Sequence, residues 1–295
     1  IAHNDFLIIL GKRSILLYSG AGTPSTMVLA DTILNIGIVG RDGVQSTGQD
    51  ILFLDYSGVR SLARTVQEKS SPLGDISKNV NSDIKTRVQA ETGNIKTIYD
   101  PQNAFLLINF PSVGVVYCFD TRYPLQNGSY RATTWTAMNP LCFTVTDADE
   151  LYIGVATGIG KYDTYKDNAA SYDLQYFSHP LAFGDSSRLK FLKGVNVTTF
   201  AGAGATVVLN WAYDYSGDYQ KQAYTLSAFS AGQYNISEYN TAAAEYESSF
   251  TLINKEKVNT GGSGSAVSVG LTTTVDGTEI AFQELNIHSL IGRII

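Results

Sequence analysis

The chain has 295 residues, a length that allows one large domain or two ordinary domains with a substantial core. Hydrophobic residues make up 44% and charged residues only 16%, a globular composition that excludes general disorder. The net charge is −6 and no segment of the sequence is a basic patch, which disfavours ordinary electrostatic binding to nucleic acid phosphates.

The apolar runs and the first residues of the chain show whether the sequence contains a membrane helix or a signal peptide. No apolar run reaches the ~18 residues of a membrane helix. The first residues lack the pattern of a signal peptide, so we expect no membrane span. Because the sequence begins with Ile1 rather than Met, we expect that a natural N-terminal part is missing from it.

Paired apolar runs separated by polar turns dominate the first 165 residues and predict β-hairpins. The pairs lie at 6–18, 33–62, 104–120 and 141–163. Successive up-and-down strand units of roughly 40 residues are typical of β-propeller blades. We therefore predict a mainly β chain with β-propeller-like blades, and an ordinary β-sandwich or meander is the alternative.

One segment departs from the strand pattern and predicts an amphipathic helix near 75–90. Asp75 is a suitable N-cap, and Gly93 offers a stop. The polar face, which includes Lys85, is expected to be solvated rather than to bind a ligand. The apolar positions recur every four residues, as on one face of a helix: Ile76, Val80, Ile84 and Val88.

The character of the sequence changes after Pro180, and we predict two domains, 1–185 and 186–295. The first is the propeller-like domain, expected to be incomplete at its N-terminus. The second is a smaller β-sandwich-like domain, because residues 189–200 alternate in polarity and a strand-like run follows a glycine turn. Residues 231–265 are rich in Ala, Asn, Ser, Gly and Glu, which predicts a long surface excursion.

The residues that usually carry chemistry are few and dispersed. The three histidines, His3, His179 and His288, have no metal-ligand spacing. Cys118 and Cys142 lie in apolar runs without a CxxC partner, which predicts two buried thiols; a disulfide between neighbouring strands stays open. We therefore predict no catalytic residue, no cofactor and no metal, and a protein that is not an enzyme.

A glycine pattern and an acidic cluster could each mark a binding site, but each also has a simpler structural interpretation. The glycines at 154, 158 and 160 are not followed by a helix signal, so a hairpin turn explains them better than a phosphate loop. Asp147, Asp149 and Glu150 form an acidic cluster that would suit calcium, but EF-hand spacing is absent. An acidic hairpin tip is the simpler interpretation, and such a tip is a candidate for contact with a partner.

Short motifs spread along the chain resemble the tail nozzle proteins (tail tubular protein B) of short-tailed bacteriophages. The segment 176–193 resembles their link between propeller and terminal β domain, and 283–293 resembles their C-terminal strand. The runs 51–62 and 74–77 are also similar.

The resemblance implies a structural subunit of the virion tail, assembled in the cytoplasm of the bacterial host. Six copies would form a ring beneath tail adaptor proteins and carry tail fibres or tailspikes. Double-stranded DNA would pass through the lumen during genome ejection without sequence-specific binding, and an acidic surface would favour its passage. The alternative is a receptor- or carbohydrate-binding tail component, with or without glycosidase activity.

Overall fold

A computed structural model describes residues 1–68, 76–136, 138–167, 169–226 and 253–294. The structure confirms that the chain is mainly β and built of antiparallel sheets. Its contacts divide the chain into two compact units, Ile1–Asp163 and Thr164–Ile295.

The first sheet of unit 1 is a four-stranded antiparallel meander that follows chain order. It contains the predicted first hairpin, in which Leu10 pairs with Ile15 across a turn. A 3-10 helix at Pro24–Thr26 precedes the last strand. The strands are β1 (Ala2–His3), β2 (Phe6–Leu10), β3 (Ser14–Ser19) and β4 (Val28–Leu34).

The second sheet is followed by a helix that the sequence patterns did not predict. The strands are β5 (Val44–Ser46), β6 (Ile51–Asp55) and β7 (Gly58–Ser61). Helix α1 (Leu62–Glu68) begins at Leu62, the last residue of the run that we expected to form a strand. The Ser61 hydroxyl accepts a hydrogen bond from the Arg64 N–H at 3.2 Å, which is the geometry of a serine N-cap.

The predicted amphipathic helix is present as α2 (Asn81–Ala90), preceded by a 3-10 helix at Lys78–Val80. Its apolar face is confirmed, because Ile84 and Val88 are buried. The predicted N-cap Asp75 lies outside the described residues.

Two more meander sheets complete unit 1, and they confirm the predicted third and fourth hairpins. The glycine pattern forms the hairpin as predicted, with Val155 paired to Gly158 across a two-residue turn. The third sheet holds β8 (Lys96–Asp100), β9 (Phe105–Phe110), β10 (Val115–Asp120) and β11 (Arg131–Trp135), and the fourth holds β12 (Cys142–Val145), β13 (Leu151–Val155) and β14 (Gly158–Lys161).

Consecutive sheets of unit 1 pack face to face, each pair around its own core. The inward side chains of the first sheet share a core with Ile51 and Phe53 of β6. The opposite face of β6, with Leu52 and Leu54, shares a second core with α2 and the third sheet. The far face of the third sheet shares another core with the fourth. Strands β6, β9 and β10 of the inner two sheets are thus buried on both faces, which explains why they form continuous apolar runs in the sequence.

Unit 2 consists of two antiparallel sheets around one shared core. Strands β16 and β22 pair along nearly their whole length, with three register shifts. One sheet has the order β15 (Tyr172–Phe177), β21 (Val267–Val275), β17 (Thr206–Tyr213), β18 (Gln220–Thr225), and the other contains β19 (Ile253–Asn259), β16 (Arg188–Ala201), β20 (Ser263–Gly264) and β22 (Ile280–Ile294).

The division between the two units lies earlier than the predicted domain limit at 185/186. Strand β15 belongs to unit 2 because it pairs with β21 over six residues. Of the predicted excursion at 231–265, residues 231–252 lie outside the described part of the chain. From Ile253 the chain enters β19, which pairs with β16.

The prediction for the cysteines is right for one residue and wrong for the other. Cys118 is buried in β10, and burial raises the pKa of its thiol to about 12. Cys142 is exposed, because it stands on the outer face of β12 opposite Gly154, where the absence of a side chain leaves room for the sulfur. Both thiols are free, so the two residues form no disulfide.

Candidate functional site

A cleft in unit 1 brings together cationic side chains from three separate segments. Its volume is about 680 Å³. We call it the basic cleft, and its lining residues are Lys12, Arg13, Asn35, Asp55, Tyr56, Ser57, Arg60 and Lys85.

The β2–β3 turn supplies two of the cations, Lys12 and Arg13, and is held by the backbone around Gly37. The carbonyl of Arg13 accepts a hydrogen bond from Asn35 N–H at 2.8 Å, and that of Gly11 accepts one from Ile38 N–H at 2.9 Å. A Cβ at Gly37 would overlap the Gly11 carbonyl, so only glycine permits this approach. The two exposed cations are therefore placed by a well-ordered backbone.

The floor of the cleft is a buried ion pair. The Nε of Arg60 lies 3.3 Å from Oδ2 of Asp55, and both side chains are less than a tenth exposed. The Asp55 carboxylate also accepts hydrogen bonds from Gly37 N–H at 3.2 Å and from both Ser57 N–H (3.1 Å) and Ser57 Oγ (2.6 Å). Since its oxygens are occupied by these donors, Asp55 is structural and is poorly suited to act as a general base.

Besides Lys12 and Arg13, a third exposed cation of the cleft is Lys85, which lies on the exposed side of α2. The helix is anchored on one side by buried Ile84 and Val88. The buried Tyr117 hydroxyl donates a hydrogen bond to the Asp83 carboxylate of α2. Burial, followed by this hydrogen bond to Asp83, raises the pKa of Tyr117 to about 12.

The charge of the basic cleft is opposite to that of the protein as a whole. Four cationic side chains line it against a single carboxylate, whereas the net charge of the chain is −6. Arg60 is engaged by Asp55, but in the described part of the chain no ion pair involves Lys12, Arg13 or Lys85. Such an arrangement suits an anionic group, and Asn35 adds an amide that can donate a hydrogen bond.

The acidic cluster forms a hairpin tip, as the simpler interpretation predicts. Asp147 and Asp149 are exposed in the β12–β13 turn, and Asp149 adopts a left-handed φ of 60°. Glu150 pairs with Lys161 at 2.7 Å, and the hydrogen bond from Lys161, followed by its positive charge, lowers the pKa of Glu150. We call Asp147, Asp149 and Glu150 the acidic tip. Across the described ranges, no group of three potential metal ligands from His, Cys, Asp or Glu is found.

The three histidines belong to different parts of the fold. His3 is in β1 of unit 1, whereas His179 follows β15 and His288 lies within β22 of unit 2. His288 contacts the Asn196 amide across the β16–β22 ribbon at 2.9 Å. Among the helices that the structure describes, none is long and apolar enough to cross a membrane.

Sequence reasoning missed the basic cleft because its cations are distant along the chain. Lys12 and Arg13 are interpreted as part of a hairpin turn, and Lys85 as part of a solvated helix face. A window along the sequence detects a basic patch only when the charges are contiguous. The one local signal is the adjacency of Gly11, Lys12 and Arg13 in a tight turn.

No model of a known protein family matches the chain, and a search of curated proteins finds no match. The tail-nozzle interpretation therefore stays a prediction that rests on the sequence motifs and on physical arguments.

Proposed function

We propose that the chain is a structural, non-enzymatic subunit of a phage tail nozzle in the virion. Six copies form a ring that encloses the channel for genome ejection. The ring contacts tail adaptor proteins and provides an attachment platform for fibres or tailspikes. In this proposal unit 1 is propeller-like and unit 2 is sandwich-like.

The observation that carries the proposal is the stacking of the four sheets of unit 1. They follow chain order, each is an antiparallel meander, and each pair of neighbours shares a core. Successive meanders packed face to face are the arrangement of propeller blades. The two sheets around one core in unit 2 support the sandwich-like part in the same way.

Exposed apolar side chains on the first sheet support a role in assembly. Ile9 and Leu34 are 46% and 64% exposed, and Val28 on the edge strand is 63% exposed. Apolar surface of this kind on a sheet face and edge favours packing against another protein surface.

The charge balance supports passage of DNA through a ring of such subunits. With a net charge of −6, the surface repels phosphates on average, and long-range repulsion prevents a polyanion from adhering. A nozzle needs a lumen of this kind, because bound DNA would be released slowly.

The assembly state tests the proposal. We expect light scattering on a sizing column to give six copies, and negative-stain microscopy to give rings with an open centre. The measurement is made with and without the neighbouring tail proteins. A compact monomer that stays alone with those neighbours, or a trimer, would contradict the proposed function.

A receptor- or carbohydrate-binding role is the second candidate, and an aromatic pair on unit 1 favours it. Trp135 and Tyr162 stack with ring centroids 5.7 Å apart and an interplanar angle of 10°, and Tyr162 is 37% exposed. Exposed aromatic faces bind sugars by stacking. Quenching or enhancement of Trp135 fluorescence by oligosaccharides, lost in Tyr162→Ala, would support this candidate, whereas no change in fluorescence would count against it.

A further inference from the structure

We infer that the basic cleft of one subunit receives the acidic tip of a neighbouring copy of the same chain. The inference rests on the proposed ring and names the two surfaces that close it.

The two surfaces are complementary in charge, and each carries charges without an internal partner. Lys12, Arg13 and Lys85 form no ion pair within the described ranges of the chain. The same holds there for Asp147 and Asp149, whereas Glu150 is already neutralised by Lys161. The two exposed carboxylates of the tip would therefore face three cationic side chains that form no ion pair within the described ranges.

The acidic tip is a tight hairpin turn, and the basic cleft has a volume of about 680 Å³. Its turn is closed by hydrogen bonds from Asp149 N–H to the Thr146 carbonyl (2.9 Å) and from Thr146 N–H to the Glu150 carbonyl (3.0 Å). The turn projects both carboxylates from an ordered backbone, so that little conformational entropy is lost when it docks.

A second copy of the chain is a better occupant than a free polyanion. The protein carries a net charge of −6, so a long polyanion that reaches the cleft is repelled by most of the remaining surface. A neighbouring copy carries the same net charge, but at the cleft it presents the carboxylates of its hairpin tip, and its more distant charges are screened beyond a Debye length of about 8 Å. Because the cleft and the tip are different surfaces of one chain, the contact is heterologous, and a heterologous contact that closes produces a ring.

Charge reversal tests the pairing. One variant carries Lys12→Glu, Arg13→Glu and Lys85→Glu, and a second carries Asp147→Lys and Asp149→Lys. We expect each variant alone to associate at least about tenfold more weakly than the wild type, because like charges then face each other. An equimolar mixture of the two variants should recover rings with alternating subunits, since every cleft again meets a tip of opposite charge. Sedimentation velocity and negative-stain microscopy measure both results.

The matched control for the cleft variant is Lys193→Glu, Lys221→Glu and Lys255→Glu, which also reverses three positive charges, here at exposed lysines of unit 2. It should associate like the wild type, and circular dichroism should show that all variants remain folded. If the wild type forms rings but the reversals do not weaken them, or the mixture fails to recover them, the pairing is wrong and the proposed function stands. Equal weakening by the control also overturns the pairing. A wild type that never forms rings overturns both.

Discussion

The buried ion pair beneath the basic cleft allows a quantitative prediction. Asp55→Asn preserves the shape of the side chain but removes its charge, so that Arg60, which is 6% exposed, loses its ion pair with this carboxylate. The Oδ2 atom of Asp55 accepts hydrogen bonds from Ser57 N–H, Ser57 Oγ and Arg60 Nε. If the amide NH2 group of the variant took the place of Oδ2, it would face these three donors. If the amide oxygen took that place, the NH2 group would face the N–H of Gly37, which is also a donor.

The expected cost follows from these contacts. Removal of one partner of a buried ion pair costs about 3–5 kcal/mol, because the other group loses a favourable charge interaction in a poorly solvated site. We therefore expect Asp55→Asn to lower the free energy of unfolding of unit 1 by about that amount. Urea unfolding followed by circular dichroism and by tryptophan fluorescence measures it as a lower midpoint with an unchanged slope.

Asp120→Asn is the matched control, because Asp120 also pairs with an arginine. The Arg122 Nη2 atom lies 2.7 Å from Asp120 Oδ2, but the two side chains are 52% and 23% exposed. Partly solvated pairs contribute little, so we expect a loss below about 1 kcal/mol. Equal losses for Asp55→Asn and Asp120→Asn would refute the argument that burial sets the cost.

Three further predictions concern other groups of unit 1. The folded-state pKa of Tyr117, about 12, lies above the ordinary value of 10.0, so its stabilising effect is fully present below pH 10 and is lost as the pH rises towards 12. Tyr117→Phe should reduce this alkaline loss in unfolding midpoints measured against pH; an unchanged profile would contradict it. A thiol reagent should modify Cys142 rapidly and Cys118 only after urea is added, because Cys118 is buried and its pKa is about 12; equal rates in the native protein would show this wrong. Neutralising the acidic tip to Asn and Gln should leave the thermal melting curve close to that of the wild type, since these side chains lie at the surface, and collapse of the fold would show that they hold a metal or a core partner.

The sequence predicts those elements whose burial is regular. The four-residue spacing that ends in Ile84 and Val88 predicts α2, because one helical face lies against a core. The apolar runs predict the first, third and fourth hairpins of unit 1, because turn and strand chemistry are local. The second predicted pair is wrong in its first strand, because the run at 33–39 does not form a strand pair with β6, which pairs with β5 and β7 instead. Helix α1 was not predicted, because it follows β7 directly and its start is marked in the sequence by the Ser61 cap alone.

Long-range placement could not be predicted from the sequence. Cys142 lies in an apolar run, yet it is exposed because it lies on the face of β12 opposite the core that the fourth sheet shares with the third. The basic cleft depends on the approach of Gly37 to the β2–β3 turn and on the docking of α2, both of which are tertiary contacts. Periodicity shows which side of an element is buried, but it does not show which elements become neighbours.

The ribbon formed by β16 and β22 has a mechanical consequence. Strand β16 has 14 residues, so the ribbon is roughly 45 Å long at about 3.3 Å per residue. Arg188 pairs with Ile294, which places the start of one strand and the end of the other at the same tip of the ribbon. Tension between these two points would break the hydrogen-bonded residue pairs of the ribbon one after another, starting at that tip. Tension between Arg188 and Ile280, at opposite tips, would instead be shared by many pairs in shear and would meet a much higher resistance.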